Sequence, residues 1–362
     1  MTKPRKVLMK GNEVMAEAAM RAGCRHFFGY PITPQTELAA YMSKRMSKVD
    51  GVYLQAESEV AAINMVYGAS AAGARVMTSS SSPGISLKGE GISYMAGADL
   101  PGVIVNVQRG GPGLGGIQPS QADYWQATRA TGHGDFQIMV YAPSTVQEMA
   151  DCTFLAFDKA DEYRTPVMIL ADGMLGQMME PVVLPEPKHE LPEKPWAVTG
   201  TGAGTENARK KNIVDSLYLQ ADMLERVVLE RERRYEQIKQ NEQMAEEFMC
   251  DDAEIIVVAF GASSRVARSA IMKAREQGIK VGLLRPITLW PFPTSYMDKM
   301  IGQGVKAFLT VEMNTGQMVE DVRLCAMGQV PVEFFGHTGG IIPSPEEVLQ
   351  VINDLNDKFV GE

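Results

Sequence analysis

The first 171 residues alternate short β-rich runs with stretches of helical spacing, and this alternation restricts the fold more than any other feature of the chain. His26–Tyr30, Val52–Gln55, Arg75–Thr78, Val103–Arg109, Gln137–Tyr141 and Pro166–Ala171 read as strands. Asn12–Arg21, Gln35–Ser47, Ser58–Ala72, Ser86–Met95 and Thr145–Lys159 carry the spacing and the Ala, Met and Glu content of helices. Strands separated by helices join as parallel crossovers, which places helices on both faces of one sheet. Val103-Ile104-Val105 is apolar without a break, as a strand covered on both sides must be. From Ala253 the pattern resumes, with strands expected over Ile255–Phe260, Ile279–Leu284, Ala307–Val311 and Val332–Phe335. Helices are expected there over Ser263–Gln277, Gly316–Met327 and Ser344–Leu355. The fold class is therefore α/β, with two parallel-sheet α/β domains.

The segment between them has a different composition. Pro181–Pro195 holds five prolines and reads as an extended linker. Thr199–Thr205 continues it as a flexible loop. Glu206–Met249, dense in Glu, Arg, Lys and Gln, reads as a long charged helix or helical hairpin. It is either a solvated arm, packed by a stripe of Ile213, Leu217, Leu224 and Val228, or an arm that embraces a partner subunit. The expected organisation is thus 1–180, a linker and helical arm over 181–252, and 253–362.

The chain of 362 residues, 45% of them hydrophobic, has ample material for these cores. Its net charge of −9 argues against nucleic acid or an anionic membrane surface as partner. The basic start, Met1–Lys10, is followed by no apolar targeting segment, and the apolar runs are of strand length. A cytoplasmic protein is expected. Cys24, Cys152, Cys250 and Cys325 are far apart with no C-x-x-C, so no local zinc or iron–sulfur motif and no disulfide framework is present. His26, His133, His189 and His337 are equally scattered and support neither a metal site nor a catalytic triad. The 24 methionines point to soft contact surfaces.

Open α/β sheets bind ligands beyond the carboxyl ends of their strands, and four such loops stand out in the first half. The first is Gly29-Tyr30-Pro31-Ile32-Thr33-Pro34, where two prolines stiffen the chain and Thr33 is extended before Pro34. Thr33 either belongs to a helix N-cap or holds its hydroxyl toward a ligand. In the second, Glu57 and Glu59 are two residues apart and cannot share a helix face. They either complement the helix N-terminus or leave one carboxyl buried, fit to exchange a proton with a heteroaromatic nitrogen. The third, Thr78-Ser79-Ser80-Ser81-Ser82-Pro83-Gly84, offers hydroxyls and backbone N–H groups at a helix start. In the fourth, Arg109 at a strand end is a natural clamp for a carboxylate. The glycines after it match G-x-G-x-x-G from Gly111 to Gly116, but Pro119 interrupts and Asp135 precedes a strand where a ribose-binding acid ends one. That context speaks against a dinucleotide site.

Taken together, Tyr30-Pro-Ile-Thr-Pro34, Glu57-Ser-Glu-Val-Ala-Ala62, the serine loop Thr78–Gly84 and the Arg109 glycine loop resemble the alpha subunit of 2-oxoacid:ferredoxin oxidoreductases. The resemblance covers nearly the whole chain, since Gly261–Arg268 and Leu284–Pro293 look like the transketolase-C-like domain that follows in this family. It implies a thiamine diphosphate pyrimidine-binding domain over 1–180 and a transketolase-C-like domain over 253–362. It also implies oxidative decarboxylation of a 2-oxoacid to acyl-CoA with reduction of ferredoxin. Among substrates the likeness is closest to branched-chain 2-oxoacids such as 3-methyl-2-oxobutanoate, with 2-oxoglutarate or pyruvate, or a non-oxidative transketolase-like reaction, as alternatives.

Carried over by position, Glu59 bonds the pyrimidine nitrogen, with Tyr30, Pro31, Ser80 and Ser81 as the other cofactor-binding residues. Thr33, Arg109 and Tyr30 hold the substrate, so Glu59, Arg109 and Thr33 carry the catalysis. No metal site is implied in this chain, which has no G-D-G for Mg²⁺ and diphosphate and no cysteine set for a [4Fe-4S] cluster. Those groups are expected on a beta subunit and on a ferredoxin-like iron–sulfur subunit, beside a gamma subunit, coenzyme A and ferredoxin itself.

Overall fold

A computed structural model describes residues 6–129, 131–202 and 208–361. A seven-stranded sheet runs in the order 288–290, 139–141, 166–172, 102–108, 76–80, 26–29, 52–55, and all but the first strand are parallel. The six parallel strands are those expected, with ends displaced by one or two residues. One apolar cluster joins the helices Gly11–Arg21, Thr36–Arg45 and Val146–Tyr163 to one face. A second joins Glu59–Ala71 and Pro83–Gly97 to the other. The last of these helices begins three residues before the expected Ser86, because Pro83 fits a first helical turn, which lacks N–H partners anyway.

From 26–29 the chain goes to 52–55 on one side and then crosses to 76–80 on the other. The carboxyl ends of 26–29 and 76–80 therefore flank the point where strand order reverses, the place where such sheets take up ligands.

A five-stranded sheet follows, in the order 332–336, 307–312, 255–258, 281–286, 245–248, with the last strand antiparallel. Two strands cross the division expected at Ala253. Ala245–Phe248, placed by the sequence within a charged arm, pairs with 281–286 of the second sheet. Thr288–Trp290, from the second half, pairs antiparallel with 139–141 of the first. The motif Leu284–Pro293 is where the chain passes from one sheet to the other.

The intervening segment also differs from expectation. Its helix is confined to Ala221–Asn241, and residues 208–219 have no regular structure. The expected stripe does not pack: Ile213 is 79% exposed and Leu217 66%. Arg231, Tyr235 and Ile238, spaced for one helix face, are the buried residues instead. Arg231 Nε is 3.0 Å from Asp99 Oδ1, and the Tyr235 ring meets Trp290 edge-on at 5.8 Å. The proline segment is tied down as well. Met179–Val183 forms a two-stranded antiparallel sheet with Lys6–Lys10, and Val182 is fully buried. Beyond it, Arg21 donates to the Pro185 carbonyl at 2.9 Å and Lys194 pairs with Asp161 at 2.6 Å. A proline segment has few ladder partners, so its Pro185 carbonyl is bonded by Arg21 and its Lys194 anchors it to an acid of the first unit. The loop expected over Thr199–Thr205 lies in part outside the described residues.

The seam between the two sheets is polar and dense. Buried Gln121 donates through Nε2 to the Phe260 carbonyl at 2.7 Å, and its Oε1 accepts from Ser263 Oγ at 2.6 Å and Met313 N at 3.1 Å. Asp172 caps the short helix Gly173–Gln177 through Leu175 N at 3.0 Å and accepts from Ala262 N at 3.3 Å. Among the described residues no helix is long and apolar enough to cross a membrane.

Candidate functional site

The loop after strand 26–29 is fastened from three sides. Gln35 accepts a 2.6 Å hydrogen bond from Ser79 Oγ and donates to the Tyr30 carbonyl at 3.3 Å. Asn12 Nδ2 donates to the Pro34 carbonyl at 2.8 Å. Arg109 Nη1 donates to the Thr33 carbonyl at 2.9 Å. Tyr30, Pro31 and Thr33 are left exposed at the rim. The N-cap of the next helix is Gln35, so Thr33 has no capping role and its hydroxyl stays free for other contacts.

Glu57 and Glu59 separate as two-residue spacing requires: Glu57 is exposed, and Glu59 is 6% exposed in the first turn of its helix. Ser58, not a carboxylate, caps that helix through Ala61 N at 3.1 Å. No hydrogen bond to the Glu59 carboxylate is found among the described residues. It lies against Gly84, where an added Cβ would stand 2.7 Å from Glu59 Oε1 and overlap Ser80 Oγ. Ser80 Oγ and Ser81 Oγ are buried without a hydrogen-bond partner among the described residues. A buried unpaired hydroxyl costs about 1–3 kcal/mol. A carboxylate and an orphan hydroxyl around one glycine therefore suit a flat, polar ligand that bonds both.

Arg109 is 7% exposed and sits beside this cluster. Its Nη2 donates to the Leu114 carbonyl at 3.3 Å and its Nε has no partner among the described residues, so donors of the guanidinium remain available. Its backbone N–H is held by Ser82 Oγ at 3.1 Å. That hydroxyl donates to Asp123 Oδ2 at 2.6 Å, and Asn106 Nδ2 donates to the same oxygen at 3.0 Å. Burial raises the Asp123 carboxyl above its ordinary range. Ser82 takes φ +25°, a conformation few non-glycine residues adopt, at the start of the helix. The glycine loop is closed by Gly116 N donating to the Gly110 carbonyl at 2.9 Å, and the next helix does not begin until Tyr124. It thus has no helix N-terminus at which to bind a pyrophosphate.

The structure brings Glu59, Ser80, Ser81, Arg109, Thr33 and Tyr30 to the switch point. Sequence reasoning missed Gln35, Ser82, Asn106, Asp123 and Lys88. Lys88 is fully buried, and its Nζ donates to Thr78 Oγ1 at 3.1 Å. Burial lowers its ammonium to about 8, while the nearby charge of Glu59 opposes the shift. A signal for it was present: Ile85, Lys88, Ile92 and Met95 fall on one helix face, and the other three are apolar. The cysteines stand apart from this chemistry. Burial pushes the Cys24 thiol up to about 12, and Cys250 and Cys325 to about 11.

Comparison with known proteins adds a family to this geometry. Residues 17–248 match the model described as pyruvate flavodoxin/ferredoxin oxidoreductase, thiamine diP-bdg. Residues 253–348 match pyruvate:ferredoxin oxidoreductase core domain II. The ketoisovalerate oxidoreductase subunit VorB of Methanothermobacter thermautotrophicus is 50% identical over 96% of this chain and 97% of its own length. The 2-oxoglutarate synthase subunit KorA of the same organism is 36% identical over 96% of this chain and 98% of its own. Among solved structures, 2-oxoglutarate:ferredoxin oxidoreductase from Magnetococcus marinus, with 2-oxoglutarate, coenzyme A and succinyl-CoA bound, superimposes with a TM-score of 0.87 at 27% identity. That match covers 98% of this chain and 66% of the Magnetococcus chain. The chain therefore belongs to the pyruvate flavodoxin/ferredoxin oxidoreductase family, as an oxidoreductase subunit that carries its thiamine-diphosphate-binding domain.

Proposed function

We propose that this chain supplies the aminopyrimidine side of the active site in a thiamine-diphosphate-dependent 2-oxoacid:ferredoxin oxidoreductase acting on 3-methyl-2-oxobutanoate. The observation that carries the reading is the buried Glu59 carboxylate over Gly84, without a hydrogen bond among the described residues and against the orphan hydroxyl of Ser80. When bound, thiamine diphosphate supplies the carbon nucleophile and the electron sink for decarboxylation. Glu59 holds and moves a proton at the pyrimidine nitrogen, as a carboxyl screened from water is suited to do. Ser80 and Ser81 meet the ring's polar edge, and Tyr30 and Pro31 wall it. Arg109 grips the substrate carboxylate with its unused donors, and the Thr33 hydroxyl bonds the keto oxygen.

Substrate choice has its own support. A groove of about 600 Å³ beside Thr33 is lined by Ile117, Met174, Met178 and Ile342 together with Gln118 and Gln177, and among the described residues no charged side chain lines it. An apolar branched side chain fits such a wall, whereas the second carboxylate of 2-oxoglutarate finds no cation there. The diphosphate and Mg²⁺ fall to a beta subunit, and the [4Fe-4S] clusters to a ferredoxin-like subunit. A gamma subunit, coenzyme A and ferredoxin complete the complex, which we place in the cytoplasm.

The test is coexpression with the neighbouring subunits, followed by CoA-dependent viologen reduction with 3-methyl-2-oxobutanoate, 2-oxoglutarate and pyruvate. The branched-chain acid should give the highest kcat/KM, and Glu59→Gln should lower turnover by about 100- to 10,000-fold. No reduction with any acid overturns the reading. Preference for 2-oxoglutarate moves it to that alternative, and thiamine-dependent turnover in a complex without iron moves it to a transketolase-like reaction.

A further inference from the structure

Lys88 has no part in the chemistry above, yet it is a fully buried ammonium with one neutral hydrogen-bond partner. A charge in such a place is costly by several kcal/mol unless something opposite in sign repays it. Packing does not account for it, since a methionine fills the same volume without charge. No carboxylate pairs with Nζ at contact distance among the described residues, but its position shows where one acts. Lys88 lies one turn after Gly84 on the same helix face, and helical side chains lean toward the N-terminus of their helix. The chain of Lys88 thus runs back toward the glycine on which Glu59 Oε1 rests. Its partner Thr78 is two residues before Ser80 and on the same face of the strand, so the hydroxyl cluster and the ammonium share one wall.

The elements packed on this helix bring several titratable groups toward it: Glu59 and Tyr67 from the helix Glu59–Ala71, Asp123 beside Ser82, and His133 against Tyr94. Of these, Glu59 is the one that rests on Gly84, one turn before Lys88 on the same helix.

We propose that Lys88 is a positioning residue that supplies the buried counter-charge of Glu59, and so holds that carboxylate against Gly84, where it meets the cofactor. The second half of this rests on the proposed function; the pairing itself does not. Two measurements separate them.

In the full-length chain without cofactor, with lysines labelled by ¹³C at Cε, the Lys88 signal should titrate with a midpoint near 8, far below the other lysines. In Glu59→Gln that midpoint should fall by about one pH unit or more. A midpoint at the ordinary lysine value of about 10.4, or one that Glu59→Gln leaves in place, overturns the proposal. This measurement needs no Lys88 variant and holds even if Lys88→Met fails to fold. In the assembled complex, Lys88→Met should lower kcat about tenfold and leave KM for the oxoacid unchanged, because the carboxylate has lost the cation that holds it at the cofactor. An unchanged kcat, or a rise in KM alongside its fall, overturns it. If Lys88 responds to Glu59→Gln while the wild-type complex turns over no oxoacid, the pairing stands and the proposed function falls.

Discussion

At Gly84 the missing Cβ is a condition of the site. The helix backbone there accepts alanine and even favours it by about 1 kcal/mol, so a substitution is not opposed by conformation. It is opposed by contact, since the new methyl meets Ser80 Oγ and Glu59 Oε1 together. Gly84→Ala should weaken thiamine diphosphate binding by the assembled complex about 10- to 100-fold, read by fluorescence quenching, while the fold persists. Arg109 poses a different constraint, because it bonds the Thr33 and Leu114 carbonyls and still has donors to spare. A lysine has one ammonium and cannot span these partners in a plane. Arg109→Lys should raise KM for the oxoacid about 10- to 100-fold and change kcat less, as steady-state kinetics will show. Arg109 follows its strand directly and Glu59 lies four residues past its own, which made both legible in the sequence. Asp123 and Asn106 were not, and Lys88 was marked only by the apolar residues that share its helix face. A lysine in mid-helix looks like a surface residue, and a hydrogen-bond relay through Ser82 joins residues 24 and 41 positions apart.

Among the elements, legibility followed burial. The strands over 102–108 and 166–172 are fully buried and apolar nearly throughout, so their composition alone marks them. Strands 6–10, 245–248 and 288–290 are short, and each pairs antiparallel with a segment distant in sequence. Their strand character comes from that pairing, which no local pattern encodes. The helix Ala221–Asn241 gives the sharpest contrast. Tyr235 is 2% exposed and packs on Trp290, whereas Leu217, in the segment before it, faces solvent. In urea unfolding, Tyr235→Ala should cost about 3 kcal/mol or more and Leu217→Ser less than about 0.5.

On the scale of the whole molecule, Asp172 ties stability to pH at the seam. Burial raises its carboxyl from 3.8 to about 6 despite the N–H groups it accepts. A raised carboxyl favours the protonated folded state, so its contribution is full below pH 3.8 and is lost as pH rises through about 6. The stability difference between wild type and Asp172→Ala, from urea titrations across pH 4 to 7, should shrink by up to about 3 kcal/mol with rising pH. The exchange of strands between the sheets has a consequence in time as well as space. Residues 139–141 emerge from the ribosome more than a hundred residues before 288–290, the strand that covers their open edge. Until then the nascent first sheet presents an unpaired rim to every other chain nearby. Synthesis of the second half is therefore what makes the first half safe to release, and a chain truncated after residue 252 should aggregate rather than assemble.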